Sequence, residues 1–110
     1  MVRVEFRRAR DGGWRGFIAS GHAGHAPEGQ DIVCAAVTAL AETSVLGLSG
    51  VAGLQLAVAR RKGYLRCDLP PDLTPGERER AEVILATMAL GLEDIAKDYP
   101  RSLRLTTKEV

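Results

Sequence analysis

The sequence predicts an α+β domain in the order ββαββαβ, with a mixed five-stranded sheet and two helices packed on it. Three observations predict this. Apolar and polar residues alternate over two segments on either side of Asp11-Gly12-Gly13. A long Ala, Val and Leu run follows a Pro/Gly loop. A second alternating pair then leads through Pro70-Pro71 into a segment with a helix-capping pattern.

Residues 2–9 place Val2, Val4 and Phe6 on one face and Arg3, Glu5 and Arg7 on the other, which predicts a half-buried strand. Asp11-Gly12-Gly13 is a turn signal, and Trp14 to Ser20 completes a hairpin. The loop 21–30 holds three glycines and Pro27 and predicts no regular element. Asp31 is a preferred N-cap, so the spacing predicts a helix from there to the Gly47, Gly50 and Gly53 region. That helix is apolar nearly all round, with a thin polar stripe of Asp31, Cys34, Thr38 and Glu42. Such a helix must be covered on most sides, and a second subunit is a natural cover.

Leu54 to Arg60 and Tyr64 to Leu69 predict a second hairpin across Arg61-Lys62-Gly63. Thr74-Pro75-Gly76-Glu77 reads as a capping box with proline at the first helical position. The helix it opens runs to about Asp98 and buries Ala81, Ile84, Leu85, Met88, Leu92 and Ile95. Leu103 to Thr107 is a short last strand.

A chain of 110 residues is expected to form one domain, here 1–110. Its net charge of +1 gives no overall drive toward nucleic acid or an anionic membrane. Arginines nevertheless crowd the start, at Arg3, Arg7, Arg8, Arg10 and Arg15. The commoner reading of such a cluster is a solvated strand face, and the alternative is a basic edge that meets an acidic or ribonucleoprotein partner. Two cysteines are too few for a disulfide scaffold. No apolar run is free of charge, Gly or polar interruption over a bilayer's thickness, and the first residues do not read as a signal peptide. A cytoplasmic protein with reduced thiols is expected.

The chemistry concentrates between Gly21 and Val37, which hold both histidines and Cys34. With Asp31 as the cap, Cys34 falls in the first turn of the helix. Free N–H groups and partial positive charge there favour thiolate, the nucleophilic form. His22 ends a strand and is joined to Cys34 by a glycine-containing loop, so it can pair with the sulfur as a general base. Asp31 can orient the imidazole or cap the helix. The roles compete for the same oxygens, and capping is slightly favoured. The bland alternative is a buried helix cysteine beside a locally bonded loop histidine.

Cys67 alternates with outward-facing Tyr64, Arg66 and Asp68 and reads as a packed, inert thiol. His22, His25 and Cys34 could supply three zinc ligands, but Asp31, Glu28 or water would have to complete the shell, so no metal is expected. His25 reads better as a loop residue near substrate. Thr38 lies one turn after Cys34, and its hydroxyl either meets the sulfur or substrate or bonds back to a helix carbonyl.

Gly21-His22-Ala23-Gly24, a short loop, and then Asp31-Ile32-Val33-Cys34-Ala35-Ala36-Val37 resemble the signature of the ribosomal-processing cysteine protease family (Prp, YsxB-like). The likeness covers essentially the whole chain. It implies a dimeric bacterial endopeptidase that removes an N-terminal extension from a large-subunit ribosomal protein, without a cofactor. By match of motif, it implies Cys34 as nucleophile and His22 as general base. Asp31 falls at the motif aspartate, and Thr38 stands where many members have Ser. Gly21 and Gly24 of the motif, with Thr38 and His25, are candidates for touching substrate. The contrasting reading is a non-enzymatic ribosome-associated module that uses the first hairpin and Arg60-Arg61-Lys62 as its contact surface.

Overall fold

A computed structural model describes residues 1–21 and 28–110, and for residues 28–31 the backbone alone. The elements are β1 (Val2–Arg8), β2 (Trp14–Ser20), α1 (Glu28–Gly50), β3 (Ala57–Arg61), β4 (Tyr64–Asp68), α2 (Pro75–Asp98) and β5 (Leu103–Glu109). The order ββαββαβ is therefore as the sequence predicts. The strands form one five-stranded sheet in the order β3-β4-β2-β1-β5. All pairs are antiparallel except β1 with β5, which makes the sheet mixed.

Register decides which face is buried. Phe6 pairs with Phe17, Phe17 with Cys67 and Cys67 with Val58, so these side chains share one face. Val2, Val4, Leu65 and Leu103 join them in the core. Both helices lie against this face and against each other. The opposite face carries Arg3, Glu5, Tyr64, Arg66 and Arg104, and among the described residues no helix lies over it. Fully burying a side chain such as Phe17, Leu48, Leu85 or Leu92 contributes about 1.5–3 kcal/mol, so the single helix-covered face dominates stability.

A bulge in β2 sets one end of the sheet. The β1–β2 register shifts between Arg7 and Arg8, which brings Trp14 onto the core side. There its ring meets Phe6 edge-on at 5.5 Å, and Arg8 stacks over it at 4.3 Å. Gly16, beside the bulge, has φ 153°, and a Cβ there would collide with the Cys67 carbonyl oxygen. Only glycine lets β2 and β4 approach this closely.

Helix α2 matches its sequence signal. Thr74 Oγ1 accepts from Glu77 N at 3.2 Å, and Thr74 N donates to Glu77 Oε1 at 2.9 Å. Ala81, Leu85, Met88 and Leu92 are buried, while Ile84 and Ile95 pack at the margin of the core.

Helix α1 begins earlier than its sequence suggests. It starts at Glu28, so Asp31 lies inside the first turn and not at the cap. An acidic residue favours the positive end of a helix, and Pro27 just before it has no N–H to lose. Gly29, which reads as part of a loop, costs only about 1 kcal/mol within a helix. Residues Ile32–Gly50 are long and apolar enough to cross a bilayer by length and composition. Val33, Val37, Ala41, Val45 and Leu48, however, form a stripe buried against the sheet, as in a core helix.

Candidate active site

A groove of about 300 Å³ opens between α1 and the end of the sheet formed by β2, β3 and β4. Its apolar floor is Val2, Ala19, Val37, Ala41 and Leu65. Cys34, Thr38 and Glu42 of α1 line one wall, with Ser20, Gly21, Gly63 and Tyr64 opposite. Cys34, Thr38 and Glu42 of the polar stripe thus form the groove-facing edge of α1. An apolar floor with a few polar groups is the usual build of a substrate cleft.

Cys34 is a free, half-buried thiol packed beside the core. Because α1 starts at Glu28, Cys34 lies about one and a half turns inside the helix. The macrodipole falls off within the first turn. The expected first-turn position of Cys34 is therefore corrected.

Thr38 is exposed one turn further along the groove. Ser44 and Thr87 bond back to the carbonyls of Leu40 and Val83. Thr38, which lines the groove, makes no such bond among the described residues.

Gly21 closes the opposite rim. Its N–H donates to Gly63 O at 3.0 Å. Its φ is 84°, and a Cβ would collide with the Met1 carbonyl oxygen. The position needs glycine for both backbone angle and space. His22, His25 and Gly24 lie outside the described residues, as does the side chain of Asp31. Among the described residues no cluster of His, Cys, Asp and Glu could hold a metal ion.

Sequence reasoning missed the far wall. Arg60 on β3 reaches Glu42 on α1, with Nε to Oε2 at 2.9 Å and Nη2 to Oε1 at 2.9 Å. The Arg60 hydrogen bonds hold the Glu42 carboxyl below its usual range. Each residue was visible in the sequence, but eighteen positions separate them and no local pattern signals the pair. Cys67 behaves as its alternation predicts. It is fully buried, and burial raises its pKa from the ordinary 9.0 to about 12.

Comparison with known proteins gives this groove a context. The family model described as cysteine protease Prp matches residues 1–104. A Bacillus subtilis (strain 168) protein named ribosomal processing cysteine protease Prp is 37% identical over 109 residues, covering 97% of each chain. The crystal structure of an essential ribosomal processing protease Prp from S. aureus, in complex with a substrate peptide, superposes with a TM-score of 0.86 at 26% identity, covering 98% of this chain and 100% of that one. A second S. aureus Prp structure, with a covalently linked product peptide, gives 0.82 at 27% identity with the same coverage. With a matching family model over nearly its whole length and a relative above one-third identity, the chain belongs to the Prp family of cysteine proteases.

Proposed function

We propose that this protease uses Cys34 as nucleophile and His22 as general base to remove the N-terminal extension of a large-subunit ribosomal protein. The observation that carries the reading is the groove itself, which holds the half-buried Cys34 on one wall and Gly21 on the other. His22 is bonded directly to Gly21. The relatives' names support a ribosomal substrate.

The chemistry is acyl transfer. His22 takes the Cys34 thiol proton, and Sγ attacks the scissile carbonyl carbon. The C–N bond breaks as His22 returns that proton to the leaving amine. Water, deprotonated by His22, then attacks the thioester, and the acid product and the free thiol result. Thr38 hydrogen-bonds the bound chain, and His25 and Gly24 meet it from the loop. Asp31 orients the imidazole from the first turn of α1, since its place inside the helix argues against a capping role.

The enzyme works as a cytoplasmic homodimer. Its two cysteines are free, in keeping with a reducing compartment. Ile32 and Leu46 on α1 and Val83 and Leu90 on α2 are exposed on the side of the helix layer away from the sheet. A second copy covering this face removes that apolar surface from water. The test of the activity is incubation with a peptide spanning the extension and the mature start, read by mass spectrometry. One cut between the two segments is expected, and an intact peptide overturns the assignment.

A further inference from the structure

The uncovered sheet face has a charge distribution that the net charge of +1 conceals. By register, Arg3, Arg7, Arg61, Arg66, Arg104 and Lys108 project from it, against only Glu5 and Asp68. Both acids are engaged by neighbours on their own strands, Glu5 by Arg7 at 2.6 Å and Asp68 by Arg66 at 2.8 Å. Arg3, Arg61 and Arg104 form no ion pair among the described residues.

These three arginines belong to one row. Arg61, Tyr64, Ser20, Arg3 and Arg104 sit side by side on β3, β4, β2, β1 and β5. At ordinary strand spacing the row is about 19 Å long. The Arg61 guanidinium lies 4.0 Å from the Tyr64 ring centroid, a planar stack at one end. Ser20, Arg61 and Tyr64 also line the groove that holds Cys34, so the row runs along the sheet edge nearest the candidate active site.

We propose that this row binds single-stranded RNA. Arg3 and Arg104 lie about 5 Å apart and Arg61 about 14 Å from Arg3 along the row, so they can contact phosphates at separate points of one extended strand, and the arginine–tyrosine stack offers a planar surface to a base. A membrane surface fits less well, because among the described residues the strand register places Ile18 as the one large aliphatic side chain among these cations, and membrane-binding faces insert several. An acidic polypeptide would use the charges but not the stack. Resting on the reading that the substrate is ribosomal, the row would hold RNA still attached to the substrate protein and bring that protein's N-terminus to the groove. The sum of charges argues against a nucleic-acid partner, whereas their segregation by strand register argues for one.

The test is fluorescence anisotropy of a labelled single-stranded RNA oligonucleotide over a salt series from about 50 to 200 mM. Native protein, Arg3→Gln/Arg104→Gln and Arg3→Lys/Arg104→Lys are compared, and cleavage of the free extension peptide is measured on the same samples. Neither Arg3 nor Arg104 lines the groove. Native binding should weaken steeply with salt. The Gln pair should weaken it at least tenfold at low salt and reduce the log–log slope by about 1.4. The Lys pair should bind within about threefold of native, and all three should cleave the free peptide alike. Absence of RNA binding at low salt, or equal binding by the Gln pair, overturns the proposal. So does equally tight binding of polyglutamate or phosphatidylserine vesicles with the same loss in the Gln pair. Failure of the peptide to be cut by native protein rejects the proposed substrate separately and leaves the RNA readout intact.

Discussion

Arg60 and Glu42 clasp α1 to the edge strand β3 through paired hydrogen bonds of 2.9 Å, across the groove from which Cys34 opens. Both side chains are partly solvated, so the pair shapes the groove wall more than it stabilises the fold. Glu42→Gln should raise the KM for the extension peptide several-fold and change kcat by less than about twofold, with little change in Tm. Steady-state kinetics with a thermal melt checks this. A fall in kcat at unchanged KM would place Glu42 in the chemistry instead.

Gly21→Ala should be costly at the groove out of proportion to its exposure. The substitution strains a φ of 84° and pushes against the Met1 carbonyl, a penalty of about 1–3 kcal/mol. Peptide cleavage should fall at least tenfold in protein that still melts cooperatively. Full activity would show that the rim tolerates a shift of β2.

The two thiols should differ sharply in reactivity. Cys34 is half-buried beside an open groove, whereas Cys67 is fully buried between its strand neighbours Phe17 and Val58, with its pKa pushed up to about 12. Iodoacetamide at neutral pH should label Cys34 in the native protein and reach Cys67 only after denaturant is added. Peptide mapping by mass spectrometry reads this directly, and equal labelling of the native protein would contradict it.

Cys67 also carries a pH signature. Its thiol ionises near 9.0 when unfolded and near 12 when folded. Between these values the folded chain binds the extra proton, so stability is full below pH 9 and falls as pH rises toward 12. Cys67→Ala should cost about 1 kcal/mol at neutral pH, similar to deleting one buried methylene. Its disadvantage against the native protein should shrink at high pH. Urea midpoints at pH 7 and 10 give the comparison, and a constant difference would contradict the buried-thiol account.

Leu46 and Leu90 are 70% and 67% exposed on the outer helix layer. If a second copy covers them, Leu46→Glu/Leu90→Glu should convert a dimer to a cooperatively folded monomer in sedimentation equilibrium. A native protein that is monomeric at micromolar concentration would contradict the dimer.

The architecture was legible because each local signal agreed with the packing. Alternation at Val2, Val4 and Phe6, the Thr74–Glu77 box and the stripe on α2 all reappear in the fold. The start of α1 was not legible, because Gly29 and Pro27 resemble a loop while backbone hydrogen bonds extend the helix to Glu28. At the site, the spacing of Cys34, Thr38 and Glu42 already implied a shared helix edge. The opposing Arg60 and Tyr64 come from a hairpin whose position over α1 depends on sheet order, which local spacing does not encode.

Whether Cys34 is the nucleophile is decided by kcat/KM for the extension peptide in Cys34→Ala, measured on protein whose Tm matches the native value. A loss of at least about 1,000-fold is expected, because no other described side chain in the groove can form the thioester. Cleavage at the native rate would contradict it.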